Sequence, residues 1–184
     1  MNFYIETERL LLRELNFSDV EGMFTLDSNP KVHQYLGNKP ITTIKQAEEN
    51  IAYIQQQYKD RGIGRFAVIE KISGDFIGWA GLKLNVGKEE ALNGFENFID
   101  IGYRLLPKYW RKGYASEAAF ASLEYGFTTK KYQIIYGAAD TENVGSNAIL
   151  QKIGLQLKNE FLYTYTTQSV KVNWYDLNIK DYGN

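Results

Sequence analysis

The sequence has no cysteine and a single histidine in 184 residues. Lack of cysteine excludes disulfides, thiolate zinc sites and a cysteine nucleophile. With His33 alone, a multi-histidine metal centre is excluded, so no metal is expected, and a Ser-His-Asp triad would have to use that residue. An excess of either charge is also missing: Lys+Arg is 21 against 22 Asp+Glu, a net charge of -1. The broad basic field that non-specific nucleic-acid binding needs is therefore absent. No apolar run approaches the roughly 18 residues of a membrane span. The opening MNFYIETERLLLREL carries three glutamates, which argues against a secretory signal. A cytoplasmic protein without nucleic-acid or membrane partners is expected. Only Pro30, Pro40 and Pro107 interrupt the chain, and there is no repeat or low-complexity tract, so residues 1–184 read as one domain. There is no G-x-x-x-x-G-K-[ST] loop, and no G-x-G-x-x-G follows a strand. A triphosphate P-loop is thus absent and a dinucleotide site unsupported.

Aromatics are plentiful, at 15% with 14 tyrosines, which favours strands and half-buried surfaces with polar tips. Residues 9–15 (RLLLREL) predict a first strand. Ser18 or Asp19 can cap a short helix running to Leu26, and a second short piece follows Pro30. Residues 43–60 predict the clearest helix, with Ile44, Ala47, Ile51, Ile54 and Tyr58 in one apolar stripe ended by Gly62 and Gly64. Residues 65–71 and 76–84 read as a hairpin around Ser73-Gly74-Asp75. Residues 85–96 read as a polar loop, and 98–106 as a strand closed by Pro107. A helix over 115–129, a strand over 134–139, a helix over 142–153 and two antiparallel strands around Thr167-Gln168 complete the chain. Antiparallel hairpins feeding a β-α-β crossover give an α/β fold, with a mixed central sheet and helices on both faces.

The segment LPKYWRKGYASEAAFASLEYGF carries the chemistry. A strand ends at Pro107, and a loop holds Trp110, Arg111, Lys112 and Gly113. A helix then begins near Tyr114 or Ala115, presenting unpaired amide hydrogens and a positive dipole end. Gly113 leaves room for an approaching phosphate, Ala115 keeps the next contact small, and Arg111 and Lys112 add charge at the rim. The result is an anion cradle suited to a diphosphate. The competing explanation is a tight strand-to-helix turn with two solvated cations.

The run IDIGYRLLPKYWRKGYASEA resembles the acyl-CoA-binding motif of the GNAT N-acetyltransferases, nearest to the ribosomal-protein N-terminal (Rim-type) branch. The family pattern Q/R-x-x-G-x-G/A falls on Trp110-Arg111-Lys112-Gly113-Tyr114-Ala115, with Trp110 departing from the usual start, although this branch often carries Trp there. The opening ETERLLLREL resembles that branch's first strand. TENVGSNAILQKIGL resembles its downstream segment through Asn143, Ser146, Lys152 and Gly154, with Leu155 in place of the usual Phe. The resemblance implies a GNAT-like fold: a mostly antiparallel twisted sheet in which one parallel strand pair, 98–106 and 134–139, splays apart. Acetyl-CoA would be the co-substrate. Its pantetheine would lie in the gap beside Arg104, Leu105 and Leu106, and its diphosphate would meet the amides of Arg111, Lys112, Gly113, Tyr114 and Ala115. A backbone amide near Leu105 would polarise the thioester carbonyl.

The implied reaction is direct attack of a primary amine on acetyl-CoA. Amines near pKa ~8 to 10 are mostly protonated at neutral pH, so a base or a chain of waters leading to one must take a proton. Ser146 is the first candidate for the hydroxyl donor to the departing thiolate, against a purely helical role; Tyr163 and Tyr165 are alternatives. Asn143 resembles a pantetheine ligand and equally a helix cap. Glu96 and Asp100 are candidate bases, against a loop charge and an Asp100–Arg104 ion pair respectively. His33 falls in a segment that walls the acceptor site in this family, and Trp79 and Tyr103 are candidate pocket aromatics. A polycationic acceptor would want Glu89, Glu90, Glu96 and Asp100 as an acidic lining. The acceptor could be a protein N-terminus, a polyamine, an amino acid or an aminoglycoside-like amine. A non-catalytic acyl-CoA sensor and an RNA-contacting accessory protein are the competing functions. Pairing of the C-terminal strands across a two-fold axis would give a homodimer.

Overall fold

Alternating apolar residues make the first long strand: β2 (Leu10–Glu14) buries Leu10 and Leu12 completely. A computed structural model describes residues 4–165 and 168–183. Ahead of β2 lies β1 (Tyr4–Glu6), paired antiparallel through Ile5↔Leu12. At three residues it is too short to show a period, and the sequence does not signal it. Next come α1 (Val20–Asp27) and α2 (Pro30–His33), which starts on the Asn29 side-chain cap. The long helix α3 (Ile44–Arg61) begins with a capping box in which the Thr43 and Gln46 side chains each accept from the other's backbone amide. It buries Ala47, Ile51 and Ile54 and stops at Gly62, while Ile44 in its first turn stays 39% exposed.

The hairpin of β3 (Arg65–Glu70) and β4 (Phe76–Asn85) turns at Gly74, whose amide bonds the Glu70 carbonyl at 2.8 Å. The 85–96 loop holds one 3-10 turn at Lys88–Glu90 and an isolated bridge, Leu92↔Phe95. It leads into β5 (Phe98–Leu105), then α4 (Tyr114–Thr128), β6 (Ile134–Asp140) and α5 (Val144–Lys152). β7 (Gln156–Thr164) and β8 (Ser169–Asn178) form the closing hairpin, whose connection at Tyr165 and Gln168 is hydrogen-bonded; Thr167 lies outside the described residues.

The strands form one eight-stranded sheet in the order β1-β2-β3-β4-β5-β6-β8-β7. Every neighbouring pair is antiparallel except β5–β6, which is parallel and registers at Asp100↔Tyr136 alone. Beyond that pair the two strands diverge. α4 covers one face: a Cβ at its Gly126 would touch Leu82 and Ile135. α1 lies on the other, where its Asp27 meets Arg104 of β5. Both expected helical layers are thus in place. Among the described residues no helix is long and apolar enough to cross a membrane.

Candidate active site

The β5–β6 divergence opens a cleft of about 1100 Å³ that reaches both faces of the sheet. Along β5, Leu106 donates its amide to Ile77 of β4 at 2.9 Å. Amides alternate sides along a strand, so the Leu105 amide points the opposite way, into the gap. Leu106 itself is buried and engaged by β4, whereas Leu105 and Arg104 line the cleft. The Leu105 carbonyl accepts Trp110 Nε1 at 2.6 Å, which ties the end of β5 to the loop before α4.

That loop turns twice through left-handed backbone, at Arg111 (φ 59°) and Gly113 (φ 84°). Gly113 is the N-cap of α4 and offers no side-chain cap, and the first intrahelical bond runs from Glu117 N to Gly113 O at 3.0 Å. The amides of Tyr114, Ala115 and Ser116 have no hydrogen-bond partner among the described residues and stand at the cleft wall. Arg111 is exposed at the rim and lines the cleft, while Lys112 turns its ammonium over the Tyr109 ring at 5.4 Å. The Tyr114 ring is buried and its hydroxyl donates to Glu70. Behind the loop, Arg9 donates to the Lys112 carbonyl at 2.9 Å and pairs with Glu117 at 2.6 Å. Burial pushes the Glu117 carboxyl up, but bonds from Thr7 and Arg9 outweigh it and hold the group below the usual range. Arg9 and Glu117 are thus positioning residues for the cradle. They are 108 positions apart, and no local pattern in the sequence links them.

On the α4 side of β5, the Tyr103 hydroxyl donates to the Ser146 carbonyl at 2.9 Å and lies 3.1 Å from Ser146 Oγ. Burial pushes the Tyr103 phenol well up, so it stays protonated at neutral pH. Tyr103 therefore stands with Ser146 and not with the Trp79 wall that the sequence reading grouped it with. Asn143 accepts Ser146 N at 3.1 Å as the α5 cap and lines the cleft, with no hydrogen-bond partner for its Nδ2 among the described residues. Tyr163 and Tyr165 meet edge-to-face at 4.8 Å on the cleft wall, and Tyr165 donates its hydroxyl to the Tyr35 carbonyl at 3.2 Å.

Asp100, Gly102 and Arg104 occupy the opposite face. The expected Asp100–Arg104 pair is not made. Asp100 instead pairs with Arg65 at 2.6 Å and accepts from Asn85 at 3.0 Å, because Arg65 reaches across β4. Arg104 pairs with the buried Asp27 at 2.6 Å and lies over the Trp79 ring at 5.0 Å. His33 is buried behind the wall formed by its neighbours Val32, Tyr35 and Leu36, 4.0 Å from Asp27, and does not line the cleft. Burial, then Arg104, lowers its pKa, leaving the ring neutral at pH 7. Glu96 is exposed on the 85–96 loop and is likewise outside the cleft. Glu90 lines it but is engaged by Tyr53, Val86 N, Lys83 and Arg61. Burial raises its pKa, and these bonds outweigh that to hold it at about 2.

A splayed parallel pair thus leads to bare amides at a helix start, an arrangement that can accept an anionic group at the end of the cleft. Residues 9–156 match the family model described as the acetyltransferase (GNAT) domain. The chain is 31% identical over 165 residues to the uncharacterized N-acetyltransferase YoaA of Bacillus subtilis (strain 168), covering 90% of this chain and 89% of that protein. It is 24% identical over 154 residues to spermidine N(1)-acetyltransferase of Escherichia coli (strain K12), covering 84% and 76% respectively. A crystal structure of a GNAT-family acetyltransferase from Bacillus anthracis superposes with a TM-score of 0.79 at 27% identity, covering 97% of this chain and 99% of that one. The matched region runs from β2 through both cleft-forming strands into β7, so this chain belongs to the GNAT family of N-acetyltransferases.

Proposed function

We propose that the protein transfers the acetyl group of acetyl-CoA directly to a primary amine, either a protein N-terminal α-amine or that of a small molecule. The observation that carries the proposal is the open seam beyond Asp100↔Tyr136, continuous with the unpartnered amides of Tyr114, Ala115 and Ser116. Those amides, presented by the left-handed turn at Gly113, suit a diphosphate. Bound acetyl-CoA supplies an activated acyl group, and the protein's residues do the rest. The Leu105 amide donates to the carbonyl oxygen as negative charge builds there. The Tyr103–Ser146 hydroxyl pair provides the proton for the sulfur as the C–S bond breaks and the C–N bond forms. Asp100 lies on the acceptor face and receives the amine's proton through water, with Arg65 and Asn85 fixing its orientation. Glu96 lies too far into solvent for that work.

Trp110 and the opening strand, as resembled by the ribosomal-protein branch, support an N-terminal α-amine as acceptor, and the relative named for spermidine supports a polyamine. A homodimer paired along the exposed edge strand β7 remains part of this reading. The test is release of free thiol from acetyl-CoA with a panel of amines and peptides, alongside calorimetric titration with CoA. Thiol release dependent on an added amine is the expected result. CoA binding with no release in the presence of any amine would identify a sensor instead, and absence of CoA binding would remove the cradle.

A further inference from the structure

Most polar groups on the acceptor face are engaged, and the exception is a set of donors. Asp27 takes Arg104 at 2.6 Å and Asn50 at 3.2 Å; Asp100 takes Arg65 and Asn85. Glu90 is held by Arg61 and Lys83 at 2.7 and 3.0 Å. The acidic lining that a polycation would need is therefore internally neutralised. At the rim, Glu89 and Lys31 are exposed, one of each sign. Arg65 is engaged through both terminal nitrogens: Nη1 bonds Gly81 O and Asp100 O, and Nη2 bonds Asp100 Oδ2, lying so close over Gly102 that a Cβ there would sit 2.8 Å from Nη2.

Arg104 differs. Its Nη1 bonds Asp27, and its Nε and Nη2 have no hydrogen-bond partner among the described residues. The guanidinium lines the cleft with its side chain 20% exposed, held over the Trp79 ring by the same contact that fixes its plane. A planar cation anchored at one edge and open at the other is a fork for a carboxylate. A rigid aromatic support lowers the entropy lost when the fork closes on a ligand. We propose that the acceptor is an amine carrying a carboxylate, of the amino-acid class, and that Arg104 selects it. This rests on the transferase reading above, and names the acceptor of that same site.

The experiment compares each amino acid with its own amide, and both with spermidine, as acceptors. kcat/KM is read by thiol release, and binding to the CoA-saturated protein by calorimetry. The free acid is expected to exceed its amide by at least about tenfold, as a charge-assisted hydrogen bond supplies. Equal rates and binding for acid and amide, or a preference for spermidine, overturn the inference. Arg104→Ala would strand the buried Asp27, so the paired change Arg104→Gln with Asp27→Asn is used, with folding checked by circular dichroism. The acid-to-amide ratio should fall to about one; a ratio that persists removes Arg104 from the role. The ratio cancels any general loss of turnover. Calorimetry reads selectivity without chemistry, so binding of the acid with no thiol release would overturn the transferase reading alone.

Discussion

At the scale of single residues, the Tyr103–Ser146 pair is the proposed source of the leaving sulfur's proton. Ser146 matches a family motif and is legible in the sequence. Tyr103 is one of 14 tyrosines, and only its strand parity, one step from Arg104, turns it toward α5. Its single proton is directed at the Ser146 carbonyl, and its oxygen can accept from Ser146 Oγ. Tyr103→Phe should lower kcat roughly 100-fold, within the range for a lost general acid, with CoA affinity nearly unchanged. Ser146→Ala should also lower kcat, because the Tyr103 proton is held on the Ser146 carbonyl and the Ser146 hydroxyl, 3.1 Å from the Tyr103 oxygen, is the pair's other proton. A wild-type kcat in Tyr103→Phe together with a large loss in Ser146→Ala would assign the donor to Ser146. His33 shows the limit of motif reading: its segment walls the cleft, while its ring turns inward against Asp27.

At the scale of elements, the 85–96 loop is polar in sequence and reads as a solvated connection. The structure pins it through side chains: Asn93 bonds Asn159 of β7, Phe95 packs on Trp174 and Tyr136, and Glu90 makes the charged contacts. Glu90 joins the loop to α3 through Arg61 and Tyr53 and to β4 through Lys83. Its carboxyl titrates near 2 in the folded protein against an ordinary value of 4.5. A depressed carboxyl stabilises the fold fully above the unfolded value and loses that contribution as pH falls through the folded one. Glu90→Gln should therefore destabilise the protein at pH 7 by about 1–3 kcal/mol. The gap from wild type should shrink as pH drops from about 4.5 toward 2. Urea unfolding at several pH values reads this directly, and a gap constant with pH would show that the carboxylate's charge contributes nothing. By contrast, α3 is legible end to end, since the Thr43 and Gln46 box, the apolar stripe and Gly62 are all local signals.

At the scale of the whole molecule, one sheet runs through the chain and one cleft divides it at β5–β6. A ligand spanning that division should stabilise the fold by mass action. CoA at 100 times its dissociation constant contributes about 2.7 kcal/mol, or roughly 5–10 °C in the melting temperature of a domain this size. Gly113→Val should lose most of that increment. A side chain there would sit in a left-handed backbone that β-branched residues avoid, and its Cβ would press on Arg9 at 3.2 Å, so the loop that carries the bare amides would have to shift. A scanning calorimetry trace with the full increment in this variant would place the diphosphate elsewhere.

The order of elements, the long helix, the hairpins and the bare helix start after Trp110 all follow from local residue types, because caps, turns and periodicity act within a few positions. The partners of the charges do not. Arg104 finds Asp27, Asp100 finds Arg65 and Arg9 finds Glu117 across 77, 35 and 108 positions. Each pairing depends on which strands become neighbours and which face a side chain takes. Only the folded sheet decides that, and with it which donors remain free in the cleft.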